Sequence, residues 1–341
     1  MKMRILLALL VASPFLGMAK YDEETFARLL RNGAVAKYVY RVVDDEGMPV
    51  SNATCHIWFR SYGRPQDEAD WVAETDTNGM FEAGHRLNEK FSVGIDKEGY
   101  YHTHDEINYF AMSAERRLSI VQDDKWQPYG ELRTVILKRI RKPVKLLSSD
   151  NLRYYRYPPL GRWIGFDLCK RDWVSPYGDG EFSDAEIRIG KNVTEDGYVK
   201  TMEVAFTNNP FAGAYEVAAD SFSDLKSVYE ANTNAIFSGV LKYTFKRRKG
   251  GCERNELEEG RYLVFRSRTS VDQDGALLCA HYGIIFGNWR FFEKGGMAVE
   301  RLLFNPTPND TNLEDAETAR RARLSYRQRQ ELEWRRKNGL R

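Results

Sequence analysis

Cysteine is scarce. Cys55, Cys169, Cys252 and Cys279 are the only four in 341 residues, and no two are spaced Cys-x-x-Cys. That argues against a zinc ribbon or a thioredoxin-type redox centre, which need closely spaced thiols. No phosphate-cradling glycine loop, nucleophile elbow, His-Glu-x-x-His helix or dinucleotide fingerprint is present. No cofactor is therefore expected, and the common routes to catalysis lack their sequence marks. Net charge is also missing. The formal +2 comes from Lys2 and Arg4, without which the chain holds 49 basic and 49 acidic residues. Global electrostatics therefore selects no partner, and no nucleic acid is expected. Beyond residue 19 no apolar run approaches the ~20 residues of a membrane-spanning helix.

What is present begins with an export signature. Lys2 and Arg4 precede an apolar run from Ile5 to Leu16, and Gly17-Met18-Ala19 sets small residues ahead of a cut before Lys20. Residues 1–19 read as a signal peptide, which predicts a secreted or periplasmic protein after cleavage near Ala19. An oxidising compartment permits disulfides, and Cys252 with Cys279 is the expected pair; Cys55 reads as a small buried apolar side chain. Residues 20–34 form a helical lead-in, with Phe26, Leu29 and Leu30 as its apolar stripe and Asn32-Gly33 as its stop.

The stretch from Tyr38 to Tyr101 organises the next part. Ala53, Cys55, Ile57 and Phe59 alternate with Thr54, His56, Trp58 and Arg60, so one strand face enters a core and the other does not. Val39, Arg41 and Val43 alternate with Tyr40 and Val42, which predicts a first strand buried on both faces. Turns fall at Asp44–Val50 and at Asp76-Thr77-Asn78-Gly79, where Asp bonds back to the backbone and Gly closes the turn. Asp44-Asp45-Glu46, Asp76-x-Asn78 and Asp272-x-Asp274-Gly275 hint at calcium, but turn chemistry accounts for each, because no distal Glu completes a loop.

This pattern of Asp44, Gly47, Pro49, Val50, Ala53, Thr75, Asp76, Gly79, Phe81, Gly99 and Tyr100 resembles the carboxypeptidase regulatory-like domains. The resemblance implies a transthyretin-type seven-stranded sandwich over residues 35–141 and an accessory role beside other activities. The long polar insert Ser61–Asp70 and Cys55 depart from the pattern. The basic cluster Lys138–Pro143 reads as a charged edge and linker, with anion binding as the alternative.

A linker is expected over 142–159, with Ser148–Asn151 and Pro158-Pro159. A second β-sandwich or jelly roll is expected over 160–308, with strands at Ala185–Ile189, Tyr198–Phe206, Tyr215–Ala218, Leu241–Lys246, Arg261–Arg268, Cys279–Phe286 and Met297–Phe304. Gly165-Phe-Asp-Leu168, Asp172-Trp-Val174, Tyr282-Gly-Ile284 and Asn305-Pro-Thr-Pro308 resemble uncharacterised secreted proteins of the planctomycete–verrucomicrobial bacteria. Residues 309–341 form a basic tail, helical over Leu313–Lys337, with Asn312 as its cap.

Three constellations carry chemistry. Trp163, Trp173, Tyr177 and Trp289 offer an aromatic platform for sugar rings, against the plainer reading of core packing. Asp167 and Asp172, with Asp179 and Glu181 nearby, offer a glycosidase pair, which needs two carboxyls facing one cleft. His102 and His104 share a strand face and need a third donor to hold a metal. The fold expected is all-β, two sandwiches with a short N-terminal helix and a basic C-terminal helix. The function expected is a noncatalytic binding or structural module at the cell envelope, with carbohydrate or another envelope polymer as partner. A carbohydrate-active hydrolase and a periplasmic metal-binding protein are the alternatives.

Overall fold

Asp-x-x-Gly turns set the spacing of the strands. Asp44, Asp76 and Asp272 each accept hydrogen bonds from the backbone N–H groups two and four residues on, through Oδ1. Gly47, Gly79 and Gly275 follow at φ of 81°, 73° and 81°, a left-handed conformation that glycine adopts at little cost. These carboxylates are therefore committed to turns, as the pattern predicts. In the computed structural model the described residues are 22–149, 153–207, 211–220, 222–255, 257–287, 289–292, 296–324 and 326–338. The expected signal peptide and its expected cleavage site lie outside them.

Helix α1 (Glu23–Asn32) is capped by Asp22 and stopped by Gly33, whose N–H returns to the Leu29 carbonyl. The strands that follow are β1 (Ala34–Asp44), β2 (Thr54–Arg60), β3 (Ala69–Glu74), β4 (Met80–Leu87), β5 (Lys90–Asp96) and β6 (Thr103–Asn108). After α2 (Ala114–Ser119) come β7 (Val121–Gln122), β8 (Lys125–Trp126) and β9 (Glu131–Leu137). One sheet sets β1 between β4 and the parallel strand β9, with β8 and β7 beside the start of β1. The other runs β3-β2-β5-β6. Between them lie Tyr38, Tyr40, Ala53, Cys55, Ile57, Phe59, Phe81, Phe91 and Val93. The face read from alternation in β2 is the buried one. The outer face of β1 is less covered than expected: Arg41 is exposed and Val39 half-buried, because a β-sheet packed on one side leaves the other to solvent.

The stretch expected as a linker is built into the second sandwich. It supplies β10 (Leu147–Ser149) and β11 (Arg153–Arg156). The remaining strands are β12 (Ile164–Asp167), β13 (Asp172–Trp173), β14 (Ala185–Thr194), β15 (Gly197–Phe206), β16 (Gly213–Ala218), β17 (Val240–Arg248), β18 (Gly251–Asn255), β19 (Arg261–Val271), β20 (Leu277–Phe286), β21 (Arg290–Phe292), β22 (Gly296–Val299) and β23 (Arg301–Phe304). They form a six-stranded sheet, β13-β12-β14-β15-β17-β18, a five-stranded sheet, β10-β23-β20-β19-β16, and a small sheet, β11-β22-β21. Ile187, Ile189, Met202, Val204 and Tyr243 of the six-stranded sheet meet Leu263, Phe265, Ile285 and Phe304 of the five-stranded one. The other face of the five-stranded sheet is buried too, under Leu146, Ala231 and Leu313.

The C-terminal stretch is not one solvated helix. It breaks into α3 (Ala316–Ala322) and α4 (Tyr326–Lys337), and the cap of α3 is Asp315, which accepts from Thr318. Asn312 instead bonds to Glu314 and Lys142. Buried Glu314 accepts from the Tyr101 hydroxyl at 2.9 Å and from the backbone N–H groups of Arg141 and Lys142 at 2.8 and 2.7 Å. The basic cluster is likewise paired rather than solvated. Lys138 meets Asp220 at 3.1 Å, Arg139 meets Asp44 at 2.5 Å, and Arg141 meets Asp45 at 2.6 Å. The Lys138–Asp220 pair and the Glu314 bonds join the two sandwiches, while the Arg139 and Arg141 pairs tie the end of the first sandwich to its own first turn.

Candidate functional site

The carboxylates expected as a glycosidase pair are anchors of the loops that follow β12. Asp167 sits at the end of that strand, almost wholly buried. Its Oδ1 accepts from the N–H groups of Cys169 and Lys170 and from Arg268 Nη2 at 2.8–2.9 Å, and its Oδ2 accepts from the N–H groups of Glu181 and Phe182 at 3.0 Å. Asp172 accepts from the N–H groups of Trp173 and Asp179 at 2.8 and 3.0 Å. Asp184, fully buried, accepts from Leu168 N–H and from Arg268, and burial pushes its carboxyl above the usual range. A general acid or base must exchange its proton with substrate. The oxygens of Asp167 and Asp172 are instead occupied by backbone donors, and Glu181 is exposed in an ion pair with Lys170.

The four aromatics separate. Trp173 and Trp289 are 2% and 0% exposed and belong to the core. Trp173 meets Tyr157 and Phe166 edge to face and donates to the Arg156 carbonyl. Trp163 and Tyr177 each keep 39% exposure. Strand parity explains Trp163. Ile164 pairs with Ile187 and points inward, so the preceding residue turns outward beside Arg188. The Arg188 guanidinium lies 4.5 Å from the centre of the Trp163 ring.

From Trp163 the outer face of the six-stranded sheet continues as a flat polar surface. Register places Arg188, Glu203 and Lys242 side by side on β14, β15 and β17. Glu203 accepts from Arg188 Nε at 2.9 Å and meets Lys242 at 3.4 Å, and the Arg188 hydrogen bond holds its carboxyl below the usual range. The next row is Gly190, Thr201 and Thr244, small residues that keep the surface low. Sequence reasoning missed Arg188, Glu203 and Lys242. The signal was there in alternation: they occupy the positions between the apolar residues of strands already expected.

His102 and His104 do not build a metal centre. His102 Nδ1 lies 2.9 Å from Asp96 Oδ1, and Arg329 Nη2 from helix α4 reaches both Asp96 oxygens at 2.5 Å. His56 approaches the same carboxylate at 3.7 Å, and burial lowers its imidazole below the ordinary value. His104 is exposed on β6, its N–H bonded to the Phe222 carbonyl. A guanidinium occupies the place a cation would take, and no group of three His, Cys, Asp or Glu among the described residues stands ready to hold a metal. The expected disulfide is not formed either. Cys252 lies exposed on edge strand β18 and Cys279 on β20 of another sheet, and both thiols are free. Burial pushes the Cys55 thiol up to about 12, consistent with a packing role.

No family model matches the chain, and no curated protein matches it. Solved structures do. A 3-chlorocatechol 1,2-dioxygenase from Rhodococcus opacus aligns at TM-score 0.25 and 14% identity, covering 32% of this chain and 61% of its own. A hydroxyquinol 1,2-dioxygenase from Pseudomonas putida aligns at TM-score 0.24 and 15% identity, covering 32% and 58%. A Bacteroides uniformis protein provisionally described as carbohydrate-binding aligns at TM-score 0.17 and 10% identity, covering 79% of this chain and 97% of its own. This chain thus spans about three fifths of the length of the two dioxygenases. Superpositions this loose do not bear on activity. Among the described residues no helix is long and apolar enough to cross a membrane.

Proposed function

We propose that this protein is a noncatalytic carbohydrate-binding module of the cell envelope, with the outer face of the six-stranded sheet as its ligand surface. The observation that carries this is the Trp163–Arg188–Glu203 arrangement. A sugar ring presents C–H bonds on its faces and hydroxyls around its edge. An exposed indole suits the first, and donors and acceptors held in place suit the second. Arg188 is fixed between the indole and Glu203, so little ordering remains to be done on binding. The occupied oxygens of Asp167 and Asp172 support the absence of hydrolysis. The apolar leader at residues 1–19 supports export.

The first sandwich supports the reading as a mount. Its strand order, with β1 parallel to β9, fits a carboxypeptidase regulatory-like domain of the transthyretin type, an accessory unit. Sandwiches divided at residues 35–141 and 160–308, as the sequence suggests, fit that division of labour, with residues 142–159 serving the second. The test is a glycan array followed by calorimetry on the mature chain. Trp163→Ala should lower affinity for the bound glycans roughly tenfold or more, in the range of a lost aromatic contact, with unchanged circular dichroism. Equal affinity of variant and wild type would remove the face from consideration.

A further inference from the structure

The six-stranded sheet outruns its core. Its inward row ends at Ile189, Met202 and Tyr243, yet β14, β15, β17 and β18 continue to Thr194, Gly197, Arg248 and Gly251. Beyond the core the inward-parity rows change character. One reads Lys191, Lys200, Phe245, Arg254 across the four strands, and the next reads Val193, Tyr198, Arg247, Cys252. Residues 191–200 and 244–255 hold seven basic and three acidic side chains, in a chain otherwise close to balance. The β17–β18 tip, Arg247-Arg248-Lys249-Gly250, is exposed throughout. Setting Lys191 directly opposite Lys200 costs sheet stability, because like charges face each other across the ladder. We infer that this projecting ribbon is a binding surface for an acidic polysaccharide.

The two rings choose among polyanions. Lys191 and Lys200 stand 5.1 and 5.9 Å from the centre of Tyr198, and Arg254 stands 5.1 Å from the centre of Phe245. Single-stranded nucleic acid is gripped by stacking bases on exposed rings, and here Tyr198 and Phe245 are both half-buried. A lipid surface is entered by apolar side chains at a tip, and this tip carries only charge and glycine. What remains is a ribbon whose exposed cations are Lys191, Arg247, Arg248, Lys249 and Arg254, with Lys200 buried among them, its inward-parity rows on the face of the sheet opposite Trp163. Carboxylates or sulfates along a saccharide chain supply the complementary charge. The choice of a saccharide over other polyanions rests on the carbohydrate reading above; the charge itself does not.

The test compares wild type, Trp163→Ala and a tip variant, Arg247→Glu/Arg248→Glu/Lys249→Glu, against polygalacturonate, heparin, a neutral glucan, single-stranded DNA and vesicles of phosphatidylglycerol. Wild type should bind at least one of the acidic polysaccharides, losing roughly tenfold or more in affinity between about 50 mM and about 300 mM NaCl, as screening shortens the reach of exposed charge. The tip variant should lose about tenfold or more at low salt, with circular dichroism unchanged. Acidic-glycan binding that ignores both salt and the tip charges overturns the inference, as does preference for DNA or vesicles. Binding to the neutral glucan alone also overturns it while leaving the carbohydrate reading intact. Acidic-glycan binding that survives Trp163→Ala but not the tip variant supports the ribbon and removes the Trp163 face.

Discussion

Replacing Arg329 by Met measures what holds α4 to the first sandwich. Arg329 Nη2 donates to both Asp96 oxygens at 2.5 Å and Nη1 donates to the Leu324 carbonyl at 2.6 Å. The paired side chains are 11% and 22% exposed. Apolar packing contributes little further along the helix, where Leu332 and Trp334 are exposed. Breaking a fully buried pair costs about 3–5 kcal/mol. Partial access to water and the bond that His102 retains to Asp96 reduce this to about 2–3 kcal/mol. Opening of α4 then becomes roughly 30- to 150-fold more favourable, read as lost amide protection over residues 326–337 in hydrogen exchange. Wild-type exchange rates in α4 would refute the reasoning.

The same variant has a pH signature. Burial lowers the His56 imidazole below its ordinary 6.5; Asp96 opposes this, and the Arg329 and His102 charges add to it. The unfolded chain therefore takes up that proton first. His56 stabilises the fold above about pH 6.5, and its contribution is lost as pH falls through the folded value. Burial raises the Asp96 carboxyl, but His102 and Arg329 more than offset it and hold it below 3.8, so its contribution fades only at lower pH. Burial raises Asp224 above 3.8, with His102, Arg329 and His104 opposing; its stabilising contribution is present below 3.8 and lost as pH rises through the folded value. Removing Arg329 removes one charge that depresses His56. The fall in stability from about pH 7 to about 5.5 should therefore be shallower in the variant, and an equal or steeper fall in chemical denaturation would contradict this.

Two further substitutions separate structural roles. At Gly79, with φ 73°, an added Cβ would stand 2.3 Å from the Val42 carbonyl oxygen, whereas at Gly47, with φ 81°, nothing lies within 4 Å. Gly79→Ala should therefore cost at least ~2 kcal/mol in urea denaturation and Gly47→Ala only ~1 kcal/mol; equal costs would show that backbone conformation alone decides both. Asp167→Asn offers one acceptor where five donors converge and should cost about 2–4 kcal/mol while leaving Trp163-dependent glycan binding unchanged. Loss of a glycan-hydrolysing activity with no change in stability would restore the catalytic reading of Asp167.

Local signals were legible in the sequence and long-range ones were not. The Asp-x-x-Gly turns were readable because donor and acceptor lie within four residues. The buried face of β2 was readable because strand parity is local too. The sorting of the tryptophans was not, since Trp163 precedes one short strand and Trp173 ends another, and only the packing over them buries one and leaves the other. Asp167 looked like a catalytic acid because its donors, from Cys169 to Phe182 and Arg268, are gathered by three separate chain segments. The Asp96–Arg329 pair spans 233 residues, beyond any periodic pattern. The basic ribbon appears only in register, where Lys191, Phe245 and Arg254 become neighbours.

The residues that sequence reasoning assigned to solvent are the ones that orient the molecule. Lys138 grips Asp220 across the two sandwiches, while Arg139 and Arg141 tie the chain leaving β9 to the turn after β1. Glu314 closes over Tyr101 and the chain at Arg141 and Lys142. Arg329 grips the end of β5, and the edge of β6 pairs Thr103 with Ser223. These grips fall on both sheets of the first sandwich, so rotation about any one is opposed by the rest. Exposed ion pairs contribute little singly, but Glu314 is about 1% exposed, and its burial makes the bonds from Tyr101, Arg141 and Lys142 costly to break. The first sandwich therefore does not swing on a tether. It fixes the direction in which the six-stranded sheet faces, with Trp163 on its outer face and the inward-parity rows of the basic ribbon on the opposite one.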